Sequence, residues 1–173
     1  MSEPLKLTGG ALTLDDLADV AFRGRTAVLS PEASARIDAS RAVIDRAVRE
    51  DRVVYGVTTG FGKFSDVVIP REKLRQLQRN LVESHAVGVG ELLPSPTVRA
   101  LMLLRANCLA CGFSGVRRET VELLLAMLAA GIHPHASVGK GAPVGGRVDT
   151  RRHQHRGRPR RRGRSPGGPP RRG

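Results

Sequence analysis

A mostly α-helical fold is predicted by three features of this sequence. Apolar residues recur at helical spacing in five segments between residues 13 and 131, and most are opened or closed by a capping residue. No segment alternates apolar and polar residues over a useful strand length. After residue 135 the chain turns to Arg, Gly and Pro, a composition that predicts a disordered tail behind the helical part.

The elements follow in order. Thr13 precedes Leu14, Leu17, Val20 and Ala21 at helical spacing, with Asp16 placed like the acid of a capping box, and Gly24 ends that helix. Ser30-Pro31 starts the second: a capping hydroxyl, then a proline whose missing N–H costs nothing at the first helical position. Ile37, Ile44, Ala47 and Val48 mark its apolar face up to about Asp51. Val53-Val54-Tyr55 reads as a short extended piece before a glycine-rich stretch. Pro70 opens a third helix, with Leu74, Leu77, Leu81 and His85 on one face. Ser95-Pro96 opens a fourth, carrying Val98, Leu101, Met102 and Leu109. A fifth carries Val121, Leu124, Leu125 and Leu128, closed by Gly131.

Charge divides the chain in the same place. The net charge of +13 suggests a nucleic-acid binder until its distribution is read. Residues 140–173 hold 12 of the 29 Lys and Arg and one acid, Asp149, which leaves 17 basic and 15 acidic residues over 1–139, a net of +2. The first 139 residues therefore read as an ordinary soluble domain. The tail contains no Leu, Ile, Phe, Met or Tyr, too little apolar surface to offset the entropy of ordering it. No apolar run is long enough to span a membrane, no secretory signal opens the chain, and two cysteines make no disulfide framework. A cytoplasmic location is expected.

Two stretches could carry chemistry. Tyr55-Gly56-Val57-Thr58-Thr59-Gly60-Phe61-Gly62 is a loop presenting one tyrosine, and on composition alone it reads as a turn with a half-buried ring. Asn80-Leu81-Val82-Glu83-Ser84-His85-Ala86-Val87-Gly88-Val89-Gly90 puts His85 on an apolar helix face, where a histidine is by default a core residue. Together they resemble the aromatic amino acid ammonia-lyases. Arg105-Ala106-Asn107, Gly112-Phe113-Ser114-Gly115-Val116-Arg117 and Gly131-Ile132-His133-Pro134-His135 continue the likeness in order and spacing, as does the Leu5–Leu17 segment. Ser84-His85 resembles the histidine branch, histidine ammonia-lyase. Tyrosine ammonia-lyases and aminomutases, which keep a related histidine, remain the alternative.

The resemblance implies the N-terminal helical portion of the ammonia-lyase fold and a non-oxidative elimination, L-histidine to trans-urocanate and ammonia. Tyr55 matches the base that takes the β-proton. A free phenol ionises only near about pH 10, so that role depends on a completed site. His85 matches the residue that contacts the substrate's ring. The full-length family is a homotetramer, and no such assembly is expected of residues 1–135 alone. Its electrophile, methylidene-imidazolone, is formed from an internal Ala-Ser-Gly. Here Ala-Ser occurs at 33–34, 39–40 and 136–137 and is never followed by Gly, so no cofactor is expected from this chain and none of its residues is assigned to one.

Where the family motif would continue, Ser137-Val138-Gly139 echoes it and the Arg-rich tail takes over. The amino acids that GC-rich codons specify, appearing abruptly in mid-motif, suggest a reading-frame slip. The expected organisation is a family-like segment, 1–135, and a tail, 136–173, that is out of frame. A positioned base contributes typically 10²–10⁴-fold, against the 10⁶-fold or more that enzymes supply; the chain alone is expected to be inactive.

Two other classes of function compete with this reading. Arg158–Arg164 would neutralise several phosphates, but the tail has no aromatic side chain for bases to stack on, so nucleic acid is not an expected partner. Cys108-x-x-Cys111, with His133 and His135, offers zinc-type ligands. The cysteines lie in a helical pattern without a second pair, and both are expected to be small buried helix residues with no metal.

Overall fold

A computed structural model describes residues 2–64, 67–86, 90–137 and 147–149. Five α-helices stand among them: α1 (Leu14–Phe22), α2 (Pro31–Arg49), α3 (Leu74–His85), α4 (Ser95–Ala110) and α5 (Arg118–Ala129). Four three-residue strands accompany them: β1 (Leu5–Leu7), β2 (Ala27–Leu29), β3 (His133–His135) and β4 (Arg147–Asp149). The class is mostly α, as expected. No helix among the described residues is long and apolar enough to cross a membrane.

β1 and β2 were not legible in the sequence. They pair in parallel, Leu5 opposite Ala27 and Leu7 opposite Leu29, with α1 as the crossover. Leu5 and Leu7 point inward and Lys6 outward, so the two-residue period exists but lasts only three residues. α1 begins with the expected capping box: Thr13 Oγ1 accepts from the Asp16 N–H at 3.1 Å, and Asp16 Oδ2 accepts from the Thr13 N–H at 3.2 Å. The Thr13 hydroxyl, which donates to Asp16 Oδ2 at 2.7 Å, and then the Thr13 N–H hold the Asp16 carboxyl below its ordinary pKa. Gly24 follows the helix at φ +76°. Leu14, expected on the apolar face, is 86% exposed; it sits in the first turn, beyond the reach of the core.

α2 starts where Ser30-Pro31 placed it. Ser30 Oγ accepts from the Ala33 N–H at 3.1 Å, and Ile37 and Ala47 are buried while Ile44 and Val48 are half-buried.

α4 is the centre of the packing. It touches α1, α2, α5, β1 and β3, and buries Val98, Met102, Leu103, Ala106, Leu109 and Ala110. Leu101, assigned to that face by spacing, lies largely outside it. The expected Ser95 cap is also absent. Pro94 is the capping residue, and the Ser95 hydroxyl meets His133 Nε2 at 2.6 Å instead, tying β3 to the start of α4. Arg99 fastens three helices at once: its guanidinium donates to Val20 O at 2.8 Å, Ala21 O at 3.2 Å and Leu128 O at 3.0 Å, at the C-terminal ends of α1 and α5. Partial burial lowers its pKa.

At its other end, α4 holds the N-terminal segment. The Gly9 N–H donates to Asn107 Oδ1 at 3.2 Å, and Asn107 Nδ2 donates to Gly10 O at 2.7 Å. Gly9 has φ +77°, and a Cβ there would lie 2.7 Å from the backbone N of Cys111. The position needs glycine on both counts.

α5 buries Val121, Leu125 and Leu128 and ends before Gly131 at φ +69°. Most of the expected tail, 138–146 and 150–173, lies outside the described residues. Of the described residues assigned to the tail, Ala136 is buried, Ser137 bridges Leu92, and Arg147–Asp149 pairs antiparallel with β3.

Candidate functional site

The Tyr55 loop is held by threonines that sequence reasoning passed over. Thr58 Oγ1 accepts from the Val54 N–H at 2.8 Å and donates to Arg52 O at 2.6 Å. Thr59 Oγ1 accepts from the Gly56 N–H at 3.3 Å and donates to Gly60 O at 3.1 Å. Both threonines are buried, whereas Val53 and Tyr55 stand out to solvent. Val53-Val54-Tyr55, expected to be extended, makes no strand; Tyr55 already opens the turn. Thr59 and Val68 form an antiparallel bridge that closes the loop. At its tip Tyr55 is 64% exposed, not half-buried, with its ring edge-on to Phe61 at 6.1 Å between centroids and 77° between planes. Gly56 takes φ +71°, and a Cβ there would meet the Phe61 ring at 3.1 Å. A paired polar base and a tyrosine at the tip make a presenting loop.

α3 starts later than expected, because Pro70 first opens a 3₁₀ turn, Arg71–Lys73, before Leu74 begins the helix. Leu74, Leu77 and Leu81 share a half-buried stripe, yet no residue of α3 is fully buried. His85 continues the stripe by spacing but is exposed, which overturns its reading as a core histidine. Its Nδ1 lies 2.8 Å from Leu81 O and 3.1 Å from Ser84 Oγ. A carbonyl oxygen only accepts, so Nδ1 carries the proton and Nε2 is left as an acceptor. Among the described residues, the hydrogen bonds of the Tyr55 loop stay within residues 52–69 and those of His85 within α3. The two residues therefore stand on separate elements, without a bond that joins them.

The other candidates divide. Cys108 is exposed, contrary to expectation; it lies on the outer side of α4, below the partly exposed Leu101 and Leu104. Cys111 is half-buried and its Sγ–H donates to Gly9 O at 3.2 Å. His133 is engaged by Ser95. Among the described residues no three His, Cys, Asp or Glu side chains gather as metal ligands. An open groove of about 440 Å³ runs beside Asp38, Arg41, Asp45, Arg117, Arg118 and Glu119. Arg118 pairs with Asp38 at 3.0 Å and Arg41 with Asp45 at 2.6 Å, so its charges largely satisfy one another.

The profile of the family described as aromatic amino acid lyase matches residues 12–141, and the chain belongs to that family. The histidine ammonia-lyase of Alkaliphilus metalliredigens is 51% identical over 130 residues, 75% of this chain and 26% of that protein. Among solved structures, histidine ammonia-lyase from Trypanosoma cruzi superposes with TM-score 0.72 at 41% identity, covering 78% of this chain and 26% of that one. Tyrosine aminomutase from Streptomyces globisporus gives TM-score 0.74 at 34% identity, again over 78% and 26%. The chain thus spans about a quarter of the length of the relatives it matches.

Proposed function

We propose that the family-like segment is the N-terminal portion of a histidine ammonia-lyase, which converts L-histidine to trans-urocanate and ammonia. The observation that carries this is 51% identity to a histidine ammonia-lyase across the stretch holding both the Tyr55 loop and Ser84-His85. The backbone does not discriminate, since histidine and tyrosine members superpose equally well; sequence identity favours histidine over the tyrosine aminomutase. In this reading Tyr55 takes the β-proton, and the acceptor Nε2 of His85 receives the N–H of the substrate's imidazole. The exposure of both side chains suits groups that meet a ligand held by further parts of a larger protein.

The residues present do not supply methylidene-imidazolone. None of the chain's three Ala-Ser pairs, at 33–34, 39–40 and 136–137, is followed by glycine. Ser137 Oγ is buried without a hydrogen-bond partner among the described residues, so its hydroxyl is not set up by neighbouring groups. With a base but no electrophile, this chain alone makes no urocanate. The boundary at 135/136, the frame-slipped origin of the tail, the homotetramer of the complete enzyme and a cytoplasmic location belong to the same proposal.

A chimera tests it: residues 1–137 replace the corresponding segment of the Alkaliphilus metalliredigens enzyme, and urocanate formation is followed by absorbance. The chimera is expected to be active, and Tyr55→Phe within it to lower kcat by about 10²–10⁴-fold. A folded, tetrameric chimera that is inactive, or whose Tyr55→Phe form keeps full activity, refutes the reading.

A further inference from the structure

Cys108 and Cys111 are the one cluster of soft ligands that the proposed lyase chemistry leaves unused. They lie three residues apart at the C-terminal end of α4, where Cys111 is the capping residue and keeps helical geometry at φ −59°, ψ −27°. Residues at that spacing share a helix face, with Cβ atoms about 5–6 Å apart. A disulfide needs about 3.5–4.5 Å between Cβ atoms, so an intact helix end holds the pair too far apart for an S–S bond. Two metal–thiolate bonds of about 2.3 Å put the sulfurs up to about 4.6 Å apart, a span that rotation about the Cα–Cβ bonds can reach from Cβ atoms at that spacing.

Ligand count then selects the ion. Zinc takes four ligands, and among the described residues no third His, Cys, Asp or Glu joins these two. His133 is bonded to Ser95 at the opposite end of α4. Softness narrows the choice further, since thiolates favour univalent copper. Cys108 is exposed and gives the ion an entry path, while Cys111 is half-buried beside Gly9 O.

We propose that Cys108 and Cys111 bind one univalent copper ion as a two-coordinate dithiolate. Each thiol loses its proton as its sulfur bonds the metal, so one ion displaces two protons and no electron is transferred. Binding also removes the Sγ–H that Cys111 donates to Gly9 O, one of the bonds that fasten the N-terminal segment to α4. Metal at the dithiol therefore loosens the Gly9–Gly10 turn while its contacts with Asn107 remain.

The test uses the full 173-residue chain under anaerobic, reducing conditions, with univalent copper titrated against a chromophoric chelator. One ion per chain is expected, with two protons released per ion and faster amide exchange at Gly9 and Gly10. Cys108→Ser and Cys111→Ser should each abolish stoichiometric binding, and the Cys111→Ser hydroxyl keeps a donor for Gly9 O. Circular dichroism verifies that both variants keep wild-type helicity. One ion per two chains, binding that survives Cys111→Ser, or no binding to the folded wild type overturns the proposal. These outcomes are independent of lyase activity.

Discussion

Removing the Arg99 guanidinium should cost this fold more than any other single polar substitution outside its turns. Arg99→Met keeps much of the aliphatic stem and deletes donors to Val20 O, Ala21 O and Leu128 O. Leu128 O still accepts from the Gly131 N–H at 3.1 Å, so two carbonyls, both in the last turn of α1, are stranded. A buried acceptor left without a partner costs about 1–3 kcal/mol. Loss of a cation from two helix C-termini adds about 0.3–1 kcal/mol at each. Arg99 is only partly buried, so water recovers some of this, and the expected total is about 3 kcal/mol. Over the described residues, roughly 130, that lowers Tm by about 10 °C. Urea unfolding followed by circular dichroism should show a lower midpoint at unchanged slope. Arg99→Lys, which keeps the charge but not the fork of donors, should fall between wild type and Met. An Arg99→Met protein within about 0.5 kcal/mol of wild type would refute the view that this side chain joins α1, α4 and α5.

Three further outcomes follow from the geometry. Gly9→Ala and Gly24→Ala both place alanine at a φ near +76°, costing about 1–2 kcal/mol, but only Gly9 has backbone atoms 2.7 Å from the new Cβ; Gly9→Ala should be clearly the worse in urea unfolding. Asp16 has its pKa held below 3.8 by the Thr13 bonds, so its stabilising effect is present above that ordinary value and lost as pH falls through the lowered one; the gap in urea midpoint between wild type and Asp16→Asn should be open at neutral pH and close under acid. Thr58→Val strands the Val54 N–H and Arg52 O and should destabilise the tyrosine loop by about 1–3 kcal/mol, read as faster amide exchange at Val54.

Caps and long apolar stripes were the legible part of this fold. Thr13 with Asp16, Ser30-Pro31, Gly24 and Gly131 each act locally, and each stands where spacing placed it. Tertiary competition erased other local signals. Ser95 had a cap's sequence, but His133, 38 residues away, took its hydroxyl. Leu14 and Leu101 had the right period and too little neighbouring surface to cover them. The strands were hidden because three residues carry hardly one and a half periods. At the candidate site, motif order singles out Tyr55 and His85, whose roles stay a proposal, whereas the threonines that brace the loop look like ordinary turn polarity. Their roles depend on which carbonyls and amides the loop brings within reach, and spacing alone does not encode that.

The central position of α4 also sets a timetable for synthesis. Leu7 and Ile37 are among the most completely buried side chains, and both belong to the cluster that Leu103 completes. Nearly a hundred residues separate Leu7 from Leu103, and at roughly 5–20 residues per second the ribosome needs about 5–20 s to bridge them. Through that interval the leading strand and the first two helices emerge with apolar faces that have nothing to close over. A nascent chain of this fold therefore carries uncovered apolar faces until its fourth helix arrives, and slow codons ahead of residue 95 would lengthen the wait.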